Sequence, residues 1–118
     1  MVTRKSCRYP VEYSGSFAGD GIAAHGIILD LSSEGCRARS EMAFAKGNFL
    51  RVLIDVPRYE KPLHVLLAVI RWSKGDEFGM EFIQMEPEDQ KRLRELIKAS
   101  AAALSNERAV GTQSEESP

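Results

Sequence analysis

The period of the hydrophobic residues changes once along the chain, and this change is the strongest constraint on its fold. Up to about residue 85, apolar and polar residues alternate in short runs bounded by glycine, proline and charged turns, which is typical of β-strands. From residue 86 the apolar residues recur at spacings of three, four and seven, which places them on one face of a helix. The pattern therefore predicts a mainly β protein that ends in a single helix.

The alternating region divides into six predicted strands, each ended by a turn signal. They cover residues 9–17, 22–31, 36–40, 49–56, 63–72 and 78–85. The fifth run is the longest apolar stretch and predicts a strand that is buried on both faces. Short strands with apolar residues on both faces favour a closed barrel, because closure removes exposed sheet edges. The predicted fold is a six-stranded antiparallel β-barrel with a C-terminal α-helix.

The two ends of the chain are predicted to differ from this barrel. The helix is predicted over residues 86–104, and the apolar residues of its stripe are Leu93, Leu96, Ile97 and Leu104. Residues 105–118 contain too few apolar groups to offset the entropy of ordering, so we expect a disordered tail. Residues 1–8 form a flexible leader, and residues 9–104 form one domain.

Composition and charge exclude several classes of function. The formal net charge of -1 does not favour general binding to DNA or RNA. No apolar run approaches the roughly 20 residues that span a membrane, and the N-terminus lacks the apolar core of a signal peptide, so we expect a cytoplasmic protein. The cysteines Cys7 and Cys36 predict two inert thiols rather than a disulfide framework. His25 and His64 lack partners at metal-ligand spacing, and no catalytic constellation is visible, so we expect no metal, cofactor or enzymatic activity.

A polar motif, Asp30-x-Ser32-x-x-Gly35, follows directly on the second predicted strand. One interpretation is structural, because Asp and Ser side chains cap turns and Gly tolerates a positive φ. The other interpretation is a ligand site. A second motif, Arg4-x-x-x-Arg8, precedes the first strand and supplies two guanidinium groups that suit phosphate or guanine.

Together the two motifs resemble those of the PilZ domain, a bacterial receptor family for the second messenger cyclic di-GMP (c-di-GMP). The segments "AVIRW", residues 68–72, and "GMEF", residues 79–82, also resemble the fifth and sixth strands of that family. The resemblance covers about residues 3 to 97. It implies a PilZ-like barrel that binds c-di-GMP, changes conformation and regulates a partner protein as a signalling adaptor.

The resemblance also implies a division of roles. Arg4 and Arg8 lie on the leader and wrap the ligand, whereas Asp30, Ser32 and Gly35 form a fixed half on the barrel. A carboxylate at position 30 accepts hydrogen bonds from N1–H and N2–H of guanine. A hydroxyl at position 32 contacts phosphate or base, and the glycine permits close approach of the backbone and an unusual φ.

Three further residues are candidate ligand contacts, each with an ordinary alternative. Lys5 is either a phosphate contact or a solvated lysine. Arg37 is either a ligand contact or a surface arginine on the third strand. Trp72 either stacks on guanine or belongs to the core.

Two functions remain open from the sequence. The first is the c-di-GMP receptor, and the second is a PilZ-fold protein-interaction module that does not bind the nucleotide. Either function needs an unidentified protein effector, and we expect a monomer or a weak dimer.

Overall fold

The computed structural model describes residues 8–19, 21–42 and 44–116. It contains six strands followed by one helix. The elements are β1 (Tyr9–Gly19), β2 (Ile22–Leu31), β3 (Gly35–Ser40), β4 (Phe49–Asp55), β5 (Leu63–Lys74), β6 (Glu77–Gln84) and α1 (Pro87–Glu116).

The strands form a closed antiparallel barrel in the order β1-β2-β3-β6-β5-β4. Neighbours in the chain pair as hairpins at β1–β2, β2–β3, β4–β5 and β5–β6. Two pairings join distant segments, because β3 pairs with β6 and β1 pairs with β4 to close the cylinder. Gly21 and Gly75 have φ values of 75° and 62°, which suit the tight turns after β1 and β5. The predicted fold class is confirmed.

The inside of the barrel is filled by apolar side chains from all six strands. Three buried aromatic rings, those of Phe17, Phe44 and Phe78, meet edge to face with centroids 5.3 to 6.3 Å apart. This geometry is favourable for aromatic pairs, because the positive edge of one ring meets the negative face of the next. The core therefore holds β1, β6 and the β3–β4 connection together.

β5 differs from its prediction as a strand buried on both faces. Ala68, Val69 and Ile70 are buried in succession, but the strand continues to Lys74 and its last four residues are exposed. The exposed end of β5 lies beside a buried part of β6, because Phe78, the cross-strand partner of Ser73, is a core residue. This exposed end carries Arg71 and Trp72.

α1 packs three residues of its predicted stripe on the barrel, with Leu93 buried and Leu96 and Ile97 partly buried against the core, whereas the side chain of Leu104 lies outside the described part of the structure. The backbone of α1 continues to Glu116, whereas the sequence predicted disorder from residue 105. Adding a residue to an existing helix gains one hydrogen bond without a new nucleation cost, which favours continuation beyond the packed turns. Among the described residues, no helix has an apolar stretch of membrane-spanning length.

Candidate functional site

Ser32 organises the turn between β2 and β3. Its hydroxyl accepts hydrogen bonds from the backbone N–H of Glu34 and Gly35 at 3.2 and 3.1 Å and donates to the carbonyl of Gly35 at 3.2 Å. The backbone N–H of Ser32 donates to the same carbonyl at 2.9 Å. The side chain is 2% exposed. These contacts are those of a serine that caps a turn through its own hydroxyl.

Gly35 lies where the backbones of β3 and β6 approach each other. A Cβ atom at this position would be 2.2 Å from the carbonyl oxygen of Met80. Gly35 pairs with Glu81 across the strands and is not among the glycines with positive φ. The predicted unusual φ is therefore wrong. The predicted close approach at Gly35 is present, but it brings the backbone of β3 close to the backbone of β6 and not to a ligand.

Asp30 lies at the end of β2 and is held by two arginines. Its Oδ1 accepts from Nη1 of Arg8 at 3.0 Å and from the backbone N–H of Arg37 at 3.1 Å. Its Oδ2 accepts from Nε of Arg37 at 3.0 Å. The carboxylate is 15% exposed. Charge-assisted hydrogen bonds of this kind are roughly twice as strong as neutral ones, so the carboxylate orientation is well determined.

Arg37 belongs to a row of charges that crosses β3 and β6. Its Nη1 donates to Oε1 of Glu77 at 2.9 Å, and Oε2 of Glu77 accepts from Arg39 at 2.9 Å. Arg39 also lies 3.6 Å from Asp76. Hydrogen bonds from Arg39 and Arg37 lower the pKa of Glu77. Hydrogen bonds to Asp30 and Glu77 raise the pKa of Arg37.

A cleft of about 320 Å³ is lined by Arg8, the ion-pair partner of Asp30, whereas Asp30 and Arg37 are not among its lining residues. Its walls come from the residue before β1, the β2–β3 turn and the outer part of the β5–β6 hairpin. The lining residues are Arg8, Ser32, Glu34, Gly35, Arg71, Trp72, Gly79, Met80 and Glu81. The cleft therefore brings together one residue of the arginine motif and two of the Asp-x-Ser-x-x-Gly motif.

Trp72 provides an aromatic wall of this cleft. The side chain is 39% exposed, so Trp72 is not a core residue. A Cβ atom at Gly79, its cross-strand partner, would be 2.1 Å from the indole Nε1. The ring therefore lies across Gly79, and the absence of a side chain there lets it lie close to the sheet.

Three charged residues of the cleft, Arg71, Glu81 and Glu34, were not predicted from the sequence. Nε of Arg71 donates to Oε1 of Glu81 at 2.7 Å. Counting outward from the β5–β6 turn sets Arg71 opposite Met80, but a register shift between Ile70 and Trp72 changes the pairing. Such a bulge leaves no clear mark in the sequence, so the ion pair could not be anticipated.

Several predicted residues have other outcomes. Arg4, Lys5 and Cys7 lie outside the described residues. Cys36 is fully buried, and burial raises the pKa of its thiol, so it stays protonated and unreactive. Among the described residues, no group of three or more His, Cys, Asp or Glu side chains is placed to hold a metal ion.

A comparison with family models decides the family. The model of the PilZ domain matches residues 3–99, which is most of the chain. The chain belongs to the PilZ family. This confirms the resemblance deduced from the two motifs. No curated protein matches it.

Solved structures show the same fold at low sequence identity. The Bacillus subtilis inhibitor of motility (MotI/DgrA) has a TM-score of 0.72 and 18% identity over 92% of this chain, which spans only 54% of that structure. The PilZ domain of YcgR from Escherichia coli with c-di-GMP has a TM-score of 0.70 and 14% identity, covering 90% of this chain and 97% of the other. The PilZ domain of CeSA from a cellulose synthesizing bacterium has a TM-score of 0.63 and 13% identity, and the match covers 79% of this chain and 96% of the other.

Proposed function

We propose that this PilZ protein binds c-di-GMP in the cleft beside Asp30 and acts as a receptor that regulates a partner protein. The observation that carries the proposal is the contact between Arg8 and Asp30. These residues belong to two motifs, are 22 positions apart and meet at 3.0 Å at the edge of the cleft. One supplies a guanidinium for phosphate or guanine, and the other supplies a carboxylate for guanine.

The hydrogen-bonding capacity of Asp30 suits guanine. A carboxylate has about four acceptor positions, two on each oxygen. Arg37 occupies one position on each oxygen, and Arg8 occupies a second position on Oδ1. None of these contacts fills the second position on Oδ2, so when Arg8 turns to the ligand, one position on each oxygen is free. N1–H and N2–H of guanine are two parallel donors that fill them.

The charge of the cleft supports a role for the leader. Among the described lining residues, Arg8 and Arg71 are balanced by Glu34 and Glu81. Arg71 is also engaged by Glu81. A ligand with two phosphates therefore needs further positive charge, which Arg4 and Lys5 supply from the leader of residues 1–8.

The remaining motif residues complete the site in different ways. Trp72 offers an exposed ring on which a guanine base can stack, and stacking on aromatic side chains contributes about 1 to 3 kcal/mol per base. Ser32 and Gly35 maintain the turn that carries Asp30 into position, with any direct ligand contact secondary to that role.

An exposed apolar face supports the role as an adaptor. Ile27, Met42, Leu53 and Phe49 are each more than a third exposed. They line three adjoining depressions on the outside of the barrel. The depression at Phe49 shares Ala18 with the depression at Leu53, which shares the start of β2 with the depression at Ile27 and Met42. The same depressions are also lined by Arg39, Glu41, Arg51 and Asp76, and exposed apolar residues with a polar rim are typical of protein–protein contact sites. We propose that the regulated partner binds there.

Calorimetric titration with c-di-GMP and cyclic di-AMP tests the proposed ligand. Adenine presents an acceptor at N1 and has no amine at C2, so Asp30 would face a lone pair. We expect c-di-GMP to bind at least about a hundredfold more tightly, a difference of roughly 2.7 kcal/mol. Asp30→Ala should lose most of this preference. Equal affinity for both dinucleotides would contradict the role of Asp30.

The alternative is a PilZ-fold interaction module that does not bind the nucleotide. The charge balance among the described residues of the cleft favours this alternative, because these residues offer no excess positive charge to two phosphates. The same titration separates the two functions. If a folded protein shows neither heat of binding nor a rise in Tm at millimolar c-di-GMP, the receptor is refuted and the module is the remaining candidate.

A further inference from the structure

The two arginines that hold Asp30 are bound in different ways. The two side chains are similarly exposed, at 44% and 39%, but Arg8 reaches the carboxylate through one guanidinium nitrogen and lies outside the strands. Arg37 uses its backbone N–H and its side-chain Nε, and its strand position directly opposite Asp30 is set by the barrel. Arg8 is therefore the partner that a ligand can exchange, whereas Arg37 stays in place.

Arg37 is in turn fixed by residues that do not line the cleft. Glu77 accepts from its Nη1 and accepts from Arg39 with its other oxygen. Glu77 lies on β6 and Arg39 on β3, so the three side chains bridge two paired strands. The donors of a guanidinium have a rigid planar arrangement, so the position of Glu77 restricts the orientation of Arg37, which in turn restricts the orientation of the Asp30 carboxylate.

We infer that Arg37, anchored by Glu77, is a positioning residue that orients the Asp30 carboxylate for guanine and does not itself bind the ligand. The inference rests on the proposed function and extends it. Arg37 donates once to each carboxylate oxygen. The acceptor positions that remain when Arg8 turns away, one on each oxygen, match in number the donors N1–H and N2–H of guanine. Glu77 thus determines base selectivity without contacting the base.

The hydrogen bonds of Arg37 favour a role in orienting Asp30 over direct contact with the ligand. Its guanidinium donates to Asp30 through Nε and to Glu77 through Nη1, and its backbone N–H also donates to Asp30. A guanidinium in this arrangement has little freedom to turn towards a phosphate. Loosening it should therefore affect the reading of the base more than the binding of the phosphates.

The test uses cyclic di-IMP, a dinucleotide identical to c-di-GMP except that it lacks the amine at C2. The wild-type protein should prefer c-di-GMP by about tenfold, because one hydrogen bond to a charged acceptor is lost. Glu77→Gln removes the charge that anchors Arg37, and Arg37→Lys removes the fork. In both variants the preference should fall to about threefold or less, with cyclic di-IMP affinity changed less than the affinity for c-di-GMP.

Glu60→Gln is the matched control for Glu77→Gln, because it removes the same charge at an exposed loop position. It should retain the tenfold preference for c-di-GMP. Melting curves of all variants verify folding. If both variants weaken the two ligands equally and keep the preference, the network is only structural and the inference is wrong. Unchanged affinity for both ligands also refutes it. A wild-type protein that does not bind c-di-GMP would instead refute the proposed function, and the inference with it.

Discussion

Replacing Gly35 by alanine tests whether the glycine of the Asp-x-Ser-x-x-Gly motif serves the fold or the ligand. The new Cβ would lie 2.2 Å from the carbonyl oxygen of Met80 and 3.3 Å from Cα of Glu81. Carbon and oxygen atoms of neighbouring strands normally stay about 3.3 Å or more apart. The β3 and β6 backbones must therefore separate locally by roughly 1 Å, a displacement that side-chain rotation cannot relieve.

The cost follows from this displacement. Overpacking in a well-packed region destabilises a protein by about 1 to 3 kcal/mol, and a clash with backbone belongs at the upper end of that range. We expect the free energy of unfolding to fall by about 3 kcal/mol. In a domain of this size, 1 kcal/mol shifts the Tm by about 4 to 8 °C, so the Tm should fall by about 12 °C or more.

Gly26→Ala is the matched control, because its Cβ would be 2.1 Å from the carbonyl oxygen of Arg39, in an equivalent clash outside the motif. Urea denaturation of both variants should give similar losses of stability. Gly35→Ala should bind c-di-GMP more weakly only to the extent that the β2–β3 turn is displaced. A Gly35→Ala protein with wild-type stability and no binding would refute the structural interpretation and show that the glycine makes room for the ligand.

Three further predictions concern the arginine motif, the tail and the buried thiol. Arg8→Ala should weaken c-di-GMP binding about tenfold or more in calorimetry, and Arg8→Lys should not restore it, because an ammonium lacks the fork; wild-type affinity in Arg8→Ala would exclude Arg8 from the site. Deleting residues 105–118 should change the Tm by less than about 2 °C, and a larger loss would mean that this segment stabilises the barrel. The raised pKa of Cys36 means that its contribution to stability is complete below the unfolded pKa of about 8.5 and declines above it. Between pH 8 and 9.5 the free energy of unfolding of the wild type, measured by urea denaturation, should therefore fall by about 1 kcal/mol more than that of Cys36→Ala. Equal losses in the two proteins would contradict the raised pKa of Cys36.

The strands and the helix could be predicted because their signals are local. Alternation over six to twelve residues and glycines at turns determine where a strand begins and ends, and the spacing of Leu93, Leu96 and Ile97 determines the helix face. The pairings of β3 with β6 and of β1 with β4 have no local signal. The prediction of a closed barrel therefore depended on the need to remove sheet edges.

Only part of the candidate site could be predicted, because only some of its residues belong to local sequence signals. Arg8, Asp30 and Ser32 belong to short motifs whose spacing is visible in the sequence. Arg71 meets Glu81 of β6 at a bulge in β5, and Glu77 reaches Asp30 only through Arg37. Contacts that depend on a register shift, or on a chain of side chains across two strands, require coordinates.

The structure separates the Asp-x-Ser-x-x-Gly motif into two physical roles. Ser32 caps the β2–β3 turn and Gly35 allows β3 to approach β6, and both tasks are needed whether or not a nucleotide binds. Asp30 has a part in both roles, because Arg37 on β3 donates to each of its oxygens, whereas its contact with Arg8 is the one that the proposed ligand would replace. A PilZ domain that has lost its ligand should therefore keep the serine, the glycine and the aspartate more readily than the leader arginines. The presence of Arg4 and Arg8 in this chain is thus stronger support for nucleotide binding than the presence of Ser32 and Gly35.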